Sequence, residues 1–146
     1  MYEAGGDPRL KLDDRANLDL VLSRIGPVLL GVEGCRVETV LDRAAAGGAG
    51  STEACWDAAK GFGVTQAQAG AFRRALRVAA TNGTVTVVVG PKVWVQEVPA
   101  AGVRSLPGFL DGLWKRLPLL GLFEHEGGLG YLLDPGRLEA CARQAR

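Results

Sequence analysis

The 146-residue chain is poor in the side chains that build metal and redox centres, with three cysteines (Cys35, Cys55, Cys141), one histidine (His125) and one methionine. No CxxC pair is present and the histidine stands in no His/Cys cluster. Neither a metal site nor a disulfide framework is therefore expected, and no cofactor. A sparse, odd set of cysteines reads instead as reduced thiols. Long apolar runs are missing too, since Gly, Pro or a charge breaks each one well before the ~20 residues of a membrane span. Met1 to Leu12 carries Glu3 and Asp7 and has no apolar stretch, so no signal peptide is expected, and the cytoplasm is the expected location. Nor does one sign of charge dominate. Seventeen Lys+Arg against 16 Asp+Glu leave a formal +1, which excludes a strongly basic nucleic-acid binder as a whole-chain description but not a local patch.

What is present can build a core. Hydrophobic residues make up 47% and charged residues 23% of a 15.3 kDa chain, the size of one domain. Glycine is abundant, 21 residues without a period, and punctuates short elements. Residues 1–12 read as a flexible arm and 13–146 as a single compact domain. Leu18, Val21, Leu22 and Ile25 recur at helical spacing and predict a helix from Asp13 to Gly26-Pro27. Residues 37–46 read as a second helix through Val37, Val40, Leu41 and Ala44, although their β-branched side chains also allow a strand. Gly47 to Gly50 is a linker. Ser51 or Thr52 caps a short helix to Lys60, and Gly61 to Val64 form a tight turn. Thr65 and Gln68 make a capping box for a helix that runs to Thr81, with Asn82-Gly83 as its stop.

Thr84–Val89 and Lys92–Val98 read as two strands joined in a hairpin by Gly90-Pro91, with Val88 opposite Val93 and Val87 opposite Trp94. Leu106, Phe109, Leu110, Leu113, Trp114 and Leu117 predict a helix capped by Ser105. Leu119–Glu124 and Leu129–Leu133 flank a turn and predict a second hairpin. Asp134-Pro135 opens a closing helix.

Cys55 to Arg77 resembles a helix-turn-helix. Ala59 is the small residue at the crossing and Gly63 the turn glycine. Ala58, Phe62, Val64, Ala69 and Phe72 fill the apolar slots. Two helices that cross steeply leave no room for a large side chain there. A hairpin directly after the second helix is the mark of winged-helix versions, so the resemblance extends over residues 55–98. It implies an α+β fold, predominantly helical with two β-hairpins. A winged-helix-like unit would span about 37–98, followed by a C-terminal helix-hairpin-helix over 105–146. A tandem winged-helix reading of the second half is weaker.

The resemblance implies a non-enzymatic DNA-binding or transcription-associated regulator. Thr65, Gln66 and Gln68 would face base edges, and Lys60, Arg73, Arg74, Arg77 and Lys92 would contact phosphates. A solvated helix face explains the same arginines equally well. Trp56, Trp94 and Trp114 read as core, His125 as a turn residue without a catalytic partner, and Cys35 as a buried small apolar residue. No small-molecule substrate is implied. The alternative is a protein–protein scaffold or adaptor subunit, because Gly31 to Val40 looks like the start of a roadblock-type α/β dimerisation domain. A strand at 36–41 favours that scaffold and a helix at 37–46 the winged helix.

Overall fold

β1 (Asn17–Ile25) sets the architecture. Leu20 and Leu22 on one face and Val21 and Ile25 on the other are all buried, so the strand is apolar on both sides. A strand covered on two faces loses its alternation and imitates the apolar spacing of a helix. That is why a helix was expected here and a strand is found. The computed structural model describes residues 16–42, 54–106, 108, 112 and 116–144. After β1 come β2 (Val28–Glu33), a 3-10 turn at Gly34–Arg36, β3 (Val37–Leu41), β4 (Ala54–Asp57), α1 (Ala58–Phe62) and α2 (Gln66–Ala69). The chain continues through β5 (Ala75–Ala79), β6 (Thr84–Val88), β7 (Val93–Pro99), a 3-10 turn at Ala100–Gly102 and β8 (Val103–Arg104). It ends with β9 (Leu119–His125), β10 (Gly128–Leu133) and α3 (Pro135–Gln144).

The strands form two sheets, β7-β1-β2-β10-β9-β8 and β3-β5-β6-β4. The described residues are therefore mostly β with a few short helices, and the predominantly helical, winged-helix-like class is overturned. The capping box at Thr65 and Gln68 exists, but α2 lasts one turn and ends at Gly70, whose φ of 91° breaks it. Residues 75–79 continue as a strand because they fill the slot between β3 and β6, where Ala75, Leu76 and Val78 are fully buried. Residues 37–41 form a strand as the scaffold reading required, although their neighbour is β5 rather than β6. The arm at 1–12, the linker at 47–50, Trp114 and most of the helix expected after Ser105 lie outside the described residues.

The expected hairpin at Gly90-Pro91 does not form. β6 pairs with β5 and, in parallel, with β4, whereas β7 crosses to the other sheet and pairs with β1. Val88 thus faces Asp57 and Ala75, Val93 faces Ser23, and Trp94 faces Leu22. The crossing is fastened by Ser23, a fully buried hydroxyl. Its Oγ accepts from the Gly90 amide at 3.0 Å and donates to the Lys92 carbonyl at 2.8 Å. Glycine is needed at position 90 because a Cβ there would strike the Arg24 carbonyl. No winged-helix wing remains. The 119–133 hairpin does form, with Tyr131 opposite Leu122 and Gly130 opposite Phe123.

The first core lies between the two sheets and under α3. It joins Val21, Ile25, Leu30 and Val32 of the larger sheet to Trp56, Leu76, Val85 and Val87 of the smaller one, with Leu138 of α3. The second lies inside the larger sheet, which curls around Phe123 with Leu20, Leu22, Leu29, Val98 and Leu132. Gly31 and Gly130 clear space for that ring, since a Cβ on either would press into it. Gly130→Ala is accordingly expected to destabilise by about 1–3 kcal/mol through overpacking. Gly128→Ala, whose Cβ would meet only the His125 carbonyl at an ordinary 3.6 Å, should cost clearly less. Urea unfolding of the two variants checks this, and equal costs would contradict the packing described.

Candidate interaction site

Asp57 ends β4 and caps α1, its Oδ1 accepting from the Ala59 amide at 2.9 Å. The same carboxylate takes a two-pronged bond from Arg73, at 2.6 Å from Nη2 to Oδ1 and 3.0 Å from Nη1 to Oδ2. Arg73 Nε donates to the Val89 carbonyl at 3.0 Å and Nη2 also to that of Val88 at 3.3 Å. With side chains only 15% and 24% exposed, this pair is a structural clasp between β4, β6 and the segment entering β5. Burial pushes the Asp57 carboxyl up, but the Arg73 bond and charge and the amides of Ala59 and Lys60 outweigh it. Its pKa therefore lies below the ordinary aspartate value.

The clasp has an outward consequence. Phe72, immediately before Arg73, is 80% exposed. The resemblance had placed it in an apolar slot locking a second helix, but that helix ends at Gly70, and Phe72 points into solvent. Val95 on β7 and Leu129 on β10 are also mostly exposed. By contrast Phe62 packs on Trp56 and Tyr131, with ring centroids 6.2 and 5.1 Å apart.

The residues expected to touch nucleic acid do not share a recognition helix. Lys60 is exposed in the last turn of α1, and Gln66 is exposed on α2. Thr65 and Gln68 bond each other, with the Thr65 amide donating to Gln68 Oε1 at 3.1 Å and the Gln68 amide to Thr65 Oγ1 at 3.2 Å. Arg73 is spent on Asp57, and Arg74 pairs with Asp42 at 3.2 Å. Arg77 lies half-buried on β5 between Thr39 and Thr86. Gly63 adopts the left-handed conformation expected (φ 73°), yet its surroundings are open. The crowding lies at Gly61, against Trp56. Without two crossing helices, the DNA-binding, transcription-regulator reading loses its basis.

Lys92 lies elsewhere. With Arg24, Val93, Trp94, Gln96, His125 and Glu126 it lines a cleft of about 530 Å³. The cleft opens where the β1–β2 turn, the entry to β7 and the β9–β10 turn converge at one end of the curled sheet. A side-chain relay forms part of its wall. The Trp94 indole N–H donates to Gln96 Oε1 at 3.1 Å, and Gln96 Nε2 lies 3.2 Å from His125 Nδ1. An indole N–H only donates, so the glutamine oxygen is its acceptor and the glutamine NH2 must donate onward. In that arrangement His125 Nδ1 is the acceptor, and its Nε2 faces the Glu126 carboxylate at 3.7 Å. This relay joins β7 to β9, strands from opposite halves of the larger sheet's order. Sequence reasoning took His125 as a turn residue, Trp94 as core and Lys92 as a phosphate contact. Nothing local signals their meeting.

Among the described residues no group of three or more His, Cys, Asp or Glu side chains is placed to hold a metal ion. Cys141 is buried, and burial pushes its thiol pKa up, whereas Cys35, expected to be buried, is exposed. No helix of the described residues is long and apolar enough to cross a membrane.

The architecture has a counterpart. The scaffolding protein TtCheW from Thermoanaerobacter tengcongensis superposes with a TM-score of 0.63 over 84% of this chain and 92% of that one, at 13% identity. The two share a fold. No protein-family model matches the chain, and no curated protein matches it in sequence.

The Asp57–Arg73 clasp makes a testable demand. Its carboxyl titrates below the unfolded value of about 3.9, so its contribution is complete above that pH and is lost as pH falls through the lower folded value. Arg73→Gln should cost about 2–3 kcal/mol at pH 7, where a charged partner is left behind. The gap between wild type and variant should narrow on acidification below about pH 4. Urea unfolding from pH 7 to pH 2 measures it, and a gap that is constant with pH would remove the clasp from the account.

Proposed function

We propose that the chain is a non-catalytic adaptor that holds protein partners and acts in the cytoplasm. The observation that carries this reading is Phe72. A large aromatic side chain held mostly in water, next to an arginine that is itself bound to Asp57 and to the Val88 and Val89 carbonyls, leaves most of its apolar surface unburied. Rigid aromatic anchors of this kind dominate protein–protein interfaces. The fold is consistent with such a role, because TtCheW, matched over nearly its whole length, is described as a scaffolding protein.

The test uses the immobilised full chain and an extract of its native cell, with and without nuclease. Phe72→Ser should leave unfolding free energy within about 0.5 kcal/mol of wild type. It should also reduce retention of the bound protein at least about tenfold, as loss of a central aromatic anchor does. Retention unaffected by nuclease is the expected result. If wild type retains no protein, or if nuclease releases whatever it retains, the adaptor reading fails.

A further inference from the structure

The cleft at the end of the larger sheet contains two cations that are not ion-paired among the described residues. Arg24 and Lys92 are both exposed and line it. Among the described residues neither side chain forms an ion pair or hydrogen bond. Their nearness is imposed by the backbone. The β1–β7 register pairs Leu22 with Trp94 and Ser23 with Val93, so Arg24 and Lys92 take the next step of the ladder. Ser23 fixes that step by holding the Lys92 carbonyl at 2.8 Å. Like charges on adjacent strands repel, and among the described residues neither is ion-paired, although Glu126 lines the same cleft.

We infer that this cleft captures one carboxylate side chain of a partner's acidic segment, between Arg24 and Lys92, with the neighbouring apolar residue of that segment laid against Trp94 and Val93. The inference rests on the adaptor reading for the identity of the ligand as a protein segment. Three observations select the chemistry. First, the lining sets the cationic Arg24 and Lys92 against the single carboxylate of Glu126. Among these three side chains one positive charge is left over, which suits a monoanion, and Glu126 opposes a phosphate dianion. Second, the guanidinium and ammonium are both unbonded donors, and carboxylate oxygens are their natural acceptors. Third, the Trp94 ring and Val93 give the cleft an apolar wall, while Gln96 is already bonded at both ends. The volume, about 530 Å³, lies within the range of sites that take small ligands.

The Trp94 indole N–H lies in the relay and gives a resonance that reports on the cleft in the 15N-labelled full chain, assigned with Trp94→Phe. The probes are acetyl-Leu-Asp-Leu-amide, its Asn counterpart and sodium phosphate at constant ionic strength. The Asp peptide is expected to shift that resonance saturably. The Asn peptide and phosphate should bind at least about tenfold more weakly, the factor expected for a lost charge-assisted bond. Arg24→Gln and Lys92→Gln, each checked for an otherwise unchanged spectrum, should weaken the Asp peptide to a similar extent.

The inference is overturned if the Asp peptide produces no shift, if Asp and Asn peptides bind alike, if phosphate binds as well, or if both charge variants bind like wild type. The two readings fail separately. Partner retention that survives in the Arg24→Gln, Lys92→Gln double variant sinks the cleft and leaves the adaptor. Peptide capture by a chain that retains no protein from extract does the reverse.

Discussion

One buried hydroxyl fastens the two sheets together. Ser23, in the middle of a strand covered on both faces, takes the Gly90 amide and gives its proton to the Lys92 carbonyl. The Gly90 carbonyl in turn accepts from the Arg74 amide at 3.2 Å, and the Arg74 carbonyl from Val89 at 2.8 Å. The chain thus leaves β6 of the smaller sheet and enters β7 of the larger one with its polar groups satisfied in the interior, which a buried crossing requires. The apolar side chains of both sheets then meet in a common core. An alanine at 23 would leave a buried amide and a buried carbonyl without their partner, a loss of a different kind from a missing methyl.

The same crossing organises the surface. By setting the start of β7 against the end of β1 it aligns Trp94 with Leu22 and brings Lys92 beside Arg24. The relay from Trp94 through Gln96 to His125 then draws the far half of the sheet around to complete the cleft. On the smaller sheet the Asp57–Arg73 clasp has the corresponding role, ordering the loop that displays Phe72. In both places a bonded polar network has an exposed side chain next to it, Phe72 in one case and Lys92 in the other.

What could be read from the sequence follows the range of the interactions. Elements fixed by neighbours in the chain were legible. These are the Thr65–Gln68 capping box, the left-handed Gly63, the hairpin over 119–133 and the Asp134-Pro135 start of α3, where Asp134 Oδ1 accepts from the Gly136 amide at 3.0 Å. Elements fixed by distant partners were not. β1 and β5 have apolar residues on both faces and so carry no period of two, and the propensity of Thr84–Val98 names two strands without saying which strands they pair with. The site suffered most from this. Arg24 and Lys92 meet only through the β1–β7 register, and His125 joins them only because the sheet curls. Phe72 was visible as an apolar residue, but its exposure follows from the early end of α2 at Gly70.

The order of strands also says something about how the chain is made. β2 pairs on one side with β1, its neighbour in sequence, and on the other, in parallel, with β10 from near the C-terminus. During synthesis the β1–β2 hairpin emerges from the ribosome long before the strand that completes it, and its Leu29-Leu30 edge is open until β10 follows. Pairings of such long reach form slowly, and unpaired apolar edges invite association with other nascent chains. Loss of β10 would therefore expose the edge of β2, the part of this fold that is made earlier.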